Sequence, residues 1–424
     1  MKHKPSLSRK PRFRLQRSVL AALLIGTAAG AAMAEKVRIA YIDPLSGPFA
    51  ETGINVLRSW QLVAEIANRE NWAPGHSFEV VGFDNKANPQ ESLAMLKSAS
   101  DNGFRYIAQG FGSGSALALV DALNKHNQRN PGKEIVYFNT SAGDPDLTGA
   151  KCSFWHFSLD SNADVKMNAM AELIASNKAI KRVYLLNPNY ALGQQVSRAA
   201  KEQLPAKRAD IEIVGDDLHP FGQVKDFAPY VAKVAAAKPD IVITASAGAD
   251  LALLLKSSRD YNLAPPIYTY YAVAPGMAVS MGAGAAGKVR AMPYWHANDG
   301  NAASDAVVEA FRAKFNDDYF VSTTYTGMRL LAQGIVKARS TDPTQVAFAM
   351  EDMQVDSLNG KVTLRKADHQ VLQPLFAVTW AKAGGTGMRY DLGKTGHGWR
   401  TDERLPAEKV TLPTTCSMKR PSAS

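Results

Sequence analysis

The chain has 424 residues and a formal charge of +10 from 49 Lys and Arg against 39 Asp and Glu. Seven of the basic residues (Lys2, Lys4, Arg9, Lys10, Arg12, Arg14 and Arg17) fall in the first 34 positions, where there is no acid, so the remaining 390 residues carry only +3. That balance is too mild to point to nucleic acid, and the length exceeds what one hydrophobic core usually supports, which predicts two domains.

The basic N-terminus leads into a short apolar stretch, Val19 to Ala32, and an Ala32-Met33-Ala34 site. This is the pattern of a secretory signal peptide cleaved after Ala34, too short for a comfortable membrane span. The mature chain is expected to begin at Glu35 in the periplasm, with no lipid anchor because no cysteine follows the apolar run. The cysteines are Cys152 and Cys416. In an oxidising compartment they are expected to form one disulfide that pins the C-terminal tail to the body, the alternative being two free thiols.

From Lys36, strand and helix signals alternate. Lys36–Ile42 reads as a strand, followed by the breaker-rich loop Asp43-Pro44-Leu45-Ser46-Gly47-Pro48-Phe49. A long amphipathic helix carries Ile54, Leu57, Leu62, Val63 and Ile66. Phe78–Phe83 is a strand ending at Asp84-Asn85, and Pro89 opens a helix. Tyr106–Gln109 is a strand that runs into Gly110-Phe111-Gly112-Ser113-Gly114-Ser115 and then a helix. Glycines there let the backbone approach a ligand. The free amides of the first turn, with the serine hydroxyls, make a place for a carboxylate or phosphate, and the same serines also serve as plain helix caps. Ile135–Phe138 is a strand ending in Asn139-Thr140-Ser141-Ala142-Gly143-Asp144-Pro145.

A second run of the same kind follows. Helices are predicted at Met167–Ile174, Ala191–Leu204, Phe227–Ala237 and Leu251–Tyr261. Strands are predicted at Arg182–Leu186, Ile211–Val214, Ile241–Thr244 and Ile267–Tyr271. Beyond Met292 come helices at Ala306–Phe315, Thr323–Ala338 and Val346–Met350, strands at Lys361–Arg365 and Leu375–Ala381, and an irregular tail. The fold class is α/β, with doubly wound parallel sheets that bind ligands off the carboxyl ends of their strands.

The order of these segments resembles the periplasmic binding proteins of branched-chain amino-acid ABC transporters, the leucine/isoleucine/valine-binding type. The resemblance rests on Leu45-Ser46-Gly47-Pro48, Asp84-Asn85, the Gly110–Ser115 loop, Ser141–Thr148, Tyr190 with Gly193, and Lys238-Pro239-Asp240-Ile241-Val242. It implies two lobes joined by three crossovers, near Ser158–Ser161, Met292–Trp295 and Leu358–Leu372. Lobe 1 is then 35–158 plus 293–360, lobe 2 is 159–292 plus 361–400, and 401–424 is a tail tethered by Cys416. The lobes are expected to close on a ligand and present it to a membrane permease, the protein acting as a monomer.

The resemblance implies a ligand site of Phe49, Ser113, Gly114, Ser115, Ser141, Ala142, Gly143, Tyr190, Ser246, Tyr270 and Tyr271. The chain departs from the amino-acid binders at several of the matching positions. Gly143 stands where a threonine is usual, and the loop Tyr270-Tyr271-Ala272-Val273-Ala274 lacks their acid. Ala245-Ser246-Ala247-Gly248 lacks their tyrosine, and Thr52 is not aromatic. A buried ammonium without a charged partner is costly, so the expected ligand is a carboxylate with an aromatic or aliphatic body. Asp43, Asp84 and Asp144 are the remaining candidates for an ammonium partner.

No G-x-S-x-G elbow, dinucleotide fingerprint, phosphate P-loop or metal-ligand spacing is present, so no cofactor, metal or catalysis is expected. Trp155-His156 and Trp295-His296 read as packing. The other readings are a receptor serving a signalling partner and a secreted α/β hydrolase, the second of which lacks an evident nucleophile or base.

Overall fold

The computed structural model describes residues 1–5 and 34–422. The expected signal peptide falls mainly on residues 6–33, outside the described residues. No helix among the described residues is long and apolar enough to cross a membrane.

The first sheet is wholly parallel. It contains β1 (Glu35–Asp43), β2 (His76–Asp84), β3 (Tyr106–Gln109), β4 (Val136–Asn139) and β5 (His156–Ser158), in the order β2-β1-β3-β4-β5. Side chains of a strand alternate between faces, and β1 shows how this builds two layers. Val37, Ile39 and Tyr41 pack with Trp60 and Val63 of the helix Ala50–Arg69 and with Leu331 and Ile335 of the helix Thr323–Ala338. Ala40 and Ile42 point the other way, onto Leu96 and Leu119 of the helices Pro89–Asp101 and Ser113–Arg129.

The second sheet takes β6 (Arg182–Pro188), β7 (Glu212–His219), β8 (Ile241–Thr244), β9 (Ile267–Thr269) and β10 (Val289–Ala291) in parallel. A small antiparallel sheet comprises β11 (Gln354–Ser357), β12 (Gly360–Leu364) and β13 (Val371–Leu372). The chain then returns to the second sheet with β14 (Leu375–Lys382) and β15 (His397–Leu405), both antiparallel, giving the order β15-β14-β10-β9-β8-β6-β7.

Three expectations are corrected. The helix Ala302–Phe315 packs through Val307, Val308 and Phe311 into the core of the second sheet, whereas Val355, Val362 and Val371 of β11–β13 share the core of the first. Core packing therefore changes sides between Tyr319 and Val321 and between Val371 and Leu375, not at 293 and 361, with Leu358 alone of the intervening buried residues in the second sheet's core. The tail is not irregular from 401: β15 continues to Leu405, and Ala407–Val410 adds a helical turn. β15 is an edge strand, and its exposed charged run Arg400, Asp402, Glu403, Arg404 hides it from a search for apolar alternation. The third correction concerns a strand end: β9 stops at Thr269, leaving Tyr270 and Tyr271 in the turn that follows.

Beyond β15 the chain crosses back to the first sheet's side. Thr414 Oγ1 donates to the Thr148 carbonyl at 3.3 Å, Arg420 bonds Glu351, and Cys416 is joined to Cys152 by a disulfide.

Candidate functional site

Between the two sheets lies a cavity of about 90 Å³, reached by loops from both lobes. Its first wall is the turn after β3. Gly112 stands at the helix N-cap with φ +88°, a conformation that favours glycine, and no side chain caps this helix. A Cβ on Gly110 would lie 2.0 Å from Thr140 Oγ1. The turn is held by the buried Asp43 carboxylate at the end of β1. It accepts from Gly110 N at 3.1 Å, Phe111 N at 3.0 Å, Gln109 Nε2 at 3.1 Å and Tyr41 Oη at 2.8 Å. Burial pushes this carboxyl up to about 6 despite those donors.

That anchoring aims the start of the helix Ser113–Arg129 into the cavity. The first intrahelical bond runs from Ala116 N to Gly112 O at 3.2 Å, so the amides of Ser113, Gly114 and Ser115 precede the ladder and have no intrahelical acceptor. Ser113 is 1% exposed, lines the cavity, and its Oγ has no hydrogen-bond partner among the described residues.

In the turn after β4 the Ser141 and Ala142 donors are satisfied locally. Ser141 and Ala142 donate their amides to Asn139 Oδ1 at 3.2 and 2.8 Å. Ser141 Oγ donates to the Gly110 carbonyl at 3.1 Å, and the Gly143 carbonyl accepts from Ala163 N at 2.8 Å. These residues line the cavity; the Ser141 and Ala142 amides are committed within their own turn, whereas the Gly143 amide has no acceptor among the described residues.

The opposite wall is aromatic. Tyr190 and Phe221 have ring centroids 4.6 Å apart. Phe49, from the first lobe, stacks on Phe221 at 5.6 Å with an 8° interplanar angle and touches Phe111 at 4.6 Å. Tyr271 Oη donates to the Ser141 carbonyl at 3.3 Å, a bond from one lobe to the other. Burial, and then the nearby Asp160 carboxylate, hold the Tyr271 phenol neutral far above its usual range.

Of the expected site residues, the structure brings Ser113, Ser141, Ala142, Gly143, Tyr190, Tyr270 and Tyr271 to the cavity. Phe49 does not line it but sits at its edge, in the ring stack. Gly114 faces Pro89, and Ser115 is buried in the helix's first turn without lining the cavity. Ser246 is corrected: its hydroxyl bonds His219 Nε2 and Thr244 Oγ1, each at 2.9 Å, and the next residues, Ala247 and Gly248, form the wall instead. The candidate ammonium partners also point elsewhere. Asp43 holds the turn, Asp84 accepts from Ser46 Oγ and Leu45 N at 2.5 and 2.9 Å, and Asp144 accepts from Asp146 N at 3.0 Å.

Sequence reasoning missed two charged residues of the lining, Asp160 and Lys166. Asp160 follows β5, where Gln370 Nε2 donates to its carbonyl at 2.7 Å. Lys166 lies in the first turns of the helix Ala163–Ser176, capped by Asn162. Their side chains, each 3% exposed, pair at 2.6 Å. Burial raises the Asp160 carboxyl and the Lys166 ammonium opposes that rise.

Two α/β lobes that close an aromatic cavity with ring contacts across the gap define a two-lobed solute-binding protein. Residues 36–386 match the periplasmic binding protein family, and the chain belongs to it. A "Leu/Ile/Val-binding protein homolog 4" from Brucella abortus is 30% identical over 419 residues, covering 96% of this chain and 98% of that protein. Among solved structures, a closed-conformation leucine-, isoleucine-, valine-, threonine- and alanine-binding protein from Brucella ovis aligns with a TM-score of 0.81 and 29% identity, over 92% of this chain and 100% of that one. A solute-binding protein of an ABC transporter from Rhodopseudomonas palustris, in complex with 3,4-dihydroxybenzoic acid, shares the fold at a TM-score of 0.76 and 20% identity, over 88% and 98%.

Proposed function

We propose that this protein is the periplasmic receptor of an ABC importer and captures a small carboxylate with an aromatic or aliphatic body and no ammonium group. The observation that carries the reading is Ser113. Its buried hydroxyl has no partner and stands at a helix start whose free amides favour an anion. An ammonium has no acid of its own in the lining, because Asp160 already pairs with Lys166. A cavity of about 90 Å³, against the roughly 10–15 Å³ that one water needs, has room for about six to nine water-sized groups and so suits a small ligand.

The signal-like N-terminus and the names of the relatives support delivery to a permease from the periplasm. Capture ends in lobe closure, in which Phe49 meets Phe221 and Tyr271 meets the Ser141 carbonyl. The protein does no covalent chemistry in this scheme. The test is thermal unfolding of the purified protein against leucine, valine, aliphatic carboxylates and benzoates. A carboxylate at 100 times its Kd stabilises by about 2.7 kcal/mol. Stabilisation by leucine or valine, and not by amine-free carboxylates, overturns the reading.

A further inference from the structure

The Asp160–Lys166 pair is incompletely served. An ammonium has three donors, yet Lys166 Nζ makes one hydrogen bond among the described residues, to Asp160 Oδ2 at 2.6 Å. The rings of Tyr271 and Tyr294 flank it at 5.2 and 5.7 Å. Asp160 Oδ1 is buried and has no partner. Both residues line the cavity. Spare donors and a bare acceptor therefore stand side by side in an apolar, aromatic surround, on a pair fixed by Gln370 and by the Asn162 cap.

The chemistry that completes this arrangement is narrow. A second carboxylate satisfies Lys166 but is driven against the bare Asp160 oxygen. An ammonium satisfies Asp160 but meets the Lys166 charge. An apolar end leaves Asp160 Oδ1 and the spare Lys166 donors unserved. A neutral hydroxyl donates to Asp160 Oδ1 and accepts from Lys166 Nζ, and it adds no charge to a pair that is already balanced. We infer that Asp160 and Lys166 together read a hydroxyl on the ligand, so that the transported solute is a phenolic carboxylate. This rests on the carboxylate reading above and adds a second recognition point to it. Asp160 and Lys166 act here as specificity-determining residues.

The experiment is calorimetric titration of the purified protein with benzoate, 3-hydroxybenzoate, 4-hydroxybenzoate, 4-methoxybenzoate and terephthalate. At least one hydroxybenzoate is expected to bind tenfold or more tightly than benzoate. The methoxy analogue, which accepts but cannot donate, and the dicarboxylate are expected to show no such gain. In the double variant Asp160→Leu/Lys166→Met, the preference for the hydroxybenzoate over benzoate falls to within about twofold. If benzoate binds and neither hydroxybenzoate binds more tightly, the inference fails while the carboxylate reading stands. Preference for terephthalate also overturns it. If no benzoate binds and leucine does, the carboxylate reading fails and takes this inference with it. The ligand comparison on the natural protein decides the matter even where the double variant does not fold.

Discussion

Replacing Ser113 by alanine should move stability and affinity in opposite directions. With the lobes closed the Oγ is buried, 1% exposed, and bonds nothing among the described residues. Removing an unpaired hydroxyl removes its desolvation cost, so Ser113→Ala should be neutral or stabilising by about 1 kcal/mol. A hydrogen bond to a charged acceptor is worth about 1.5–3 kcal/mol, so a carboxylate ligand should bind roughly 10- to 150-fold more weakly. Denaturant unfolding without ligand gives the first quantity, and calorimetric titration with the benzoate that binds best gives the second. A helix cap behaves differently: losing one costs about 0.5–2 kcal/mol of stability and leaves affinity alone. That outcome would refute the assignment of Ser113 to the ligand.

Three further outcomes follow from the geometry. Replacing Cys152 and Cys416 by serine frees a loop of 264 residues, for which chain entropy gives up to about 5 kcal/mol and measured bridges about 2–5. Chemical unfolding of the natural and Cys152→Ser/Cys416→Ser proteins under non-reducing conditions measures it. Asp43→Asn turns an amide donor toward the donors of Gly110, Phe111 and Gln109 and should cost about 2–4 kcal/mol of stability as well as ligand affinity. An unchanged unfolding midpoint contradicts the anchoring role. His296 is buried and held down to about 3 by desolvation, from an ordinary 6.5. Its neutral form is the folded one, so its contribution is complete above pH 6.5 and is lost as pH falls toward 3. The gap between the natural protein and His296→Gln should shift by about 1.4 kcal/mol per pH unit across that window, roughly 5 kcal/mol in all.

Much of the frame was legible because strand and helix periods differ and because turns announce themselves. β8 was placed residue for residue from Ile241-Val242-Ile243-Thr244 entered through Lys238-Pro239-Asp240, and the helix Thr323–Ala338 from its apolar face. The short strands β5, β10 and β13 were not found, since two or three residues carry no periodicity of their own and are fixed by their neighbours. At the site, the Gly110–Ser113 turn was legible as backbone chemistry. Ser246 was misplaced for a different reason: sequence gives the loop that reaches the cavity, but not which of its residues turns inward, and His219 from β7 claims that hydroxyl. Asp160 and Lys166 were invisible because their meaning is in the pairing of the first crossover with a helix that follows it.

That pairing is also where stability and recognition part. Two charges taken out of water recover their desolvation cost only when geometry is good and the remaining lone pairs and protons are bonded. Here the 2.6 Å contact meets the first condition, while the bare Asp160 oxygen and the spare Lys166 donors leave the second unmet. A pair of apolar residues would fill the same space at no such cost, so the protein's own stability does not account for the arrangement. Ser113 shows the same imbalance at the helix start, a buried polar group with nothing to bond. Each is an unmet polar valence with the lobes closed, and all three residues line the same cavity. A ligand that meets both at once gains from groups held in place within each lobe by Asp43, Gln370 and Asn162, so that their own ordering adds little to the cost of closure.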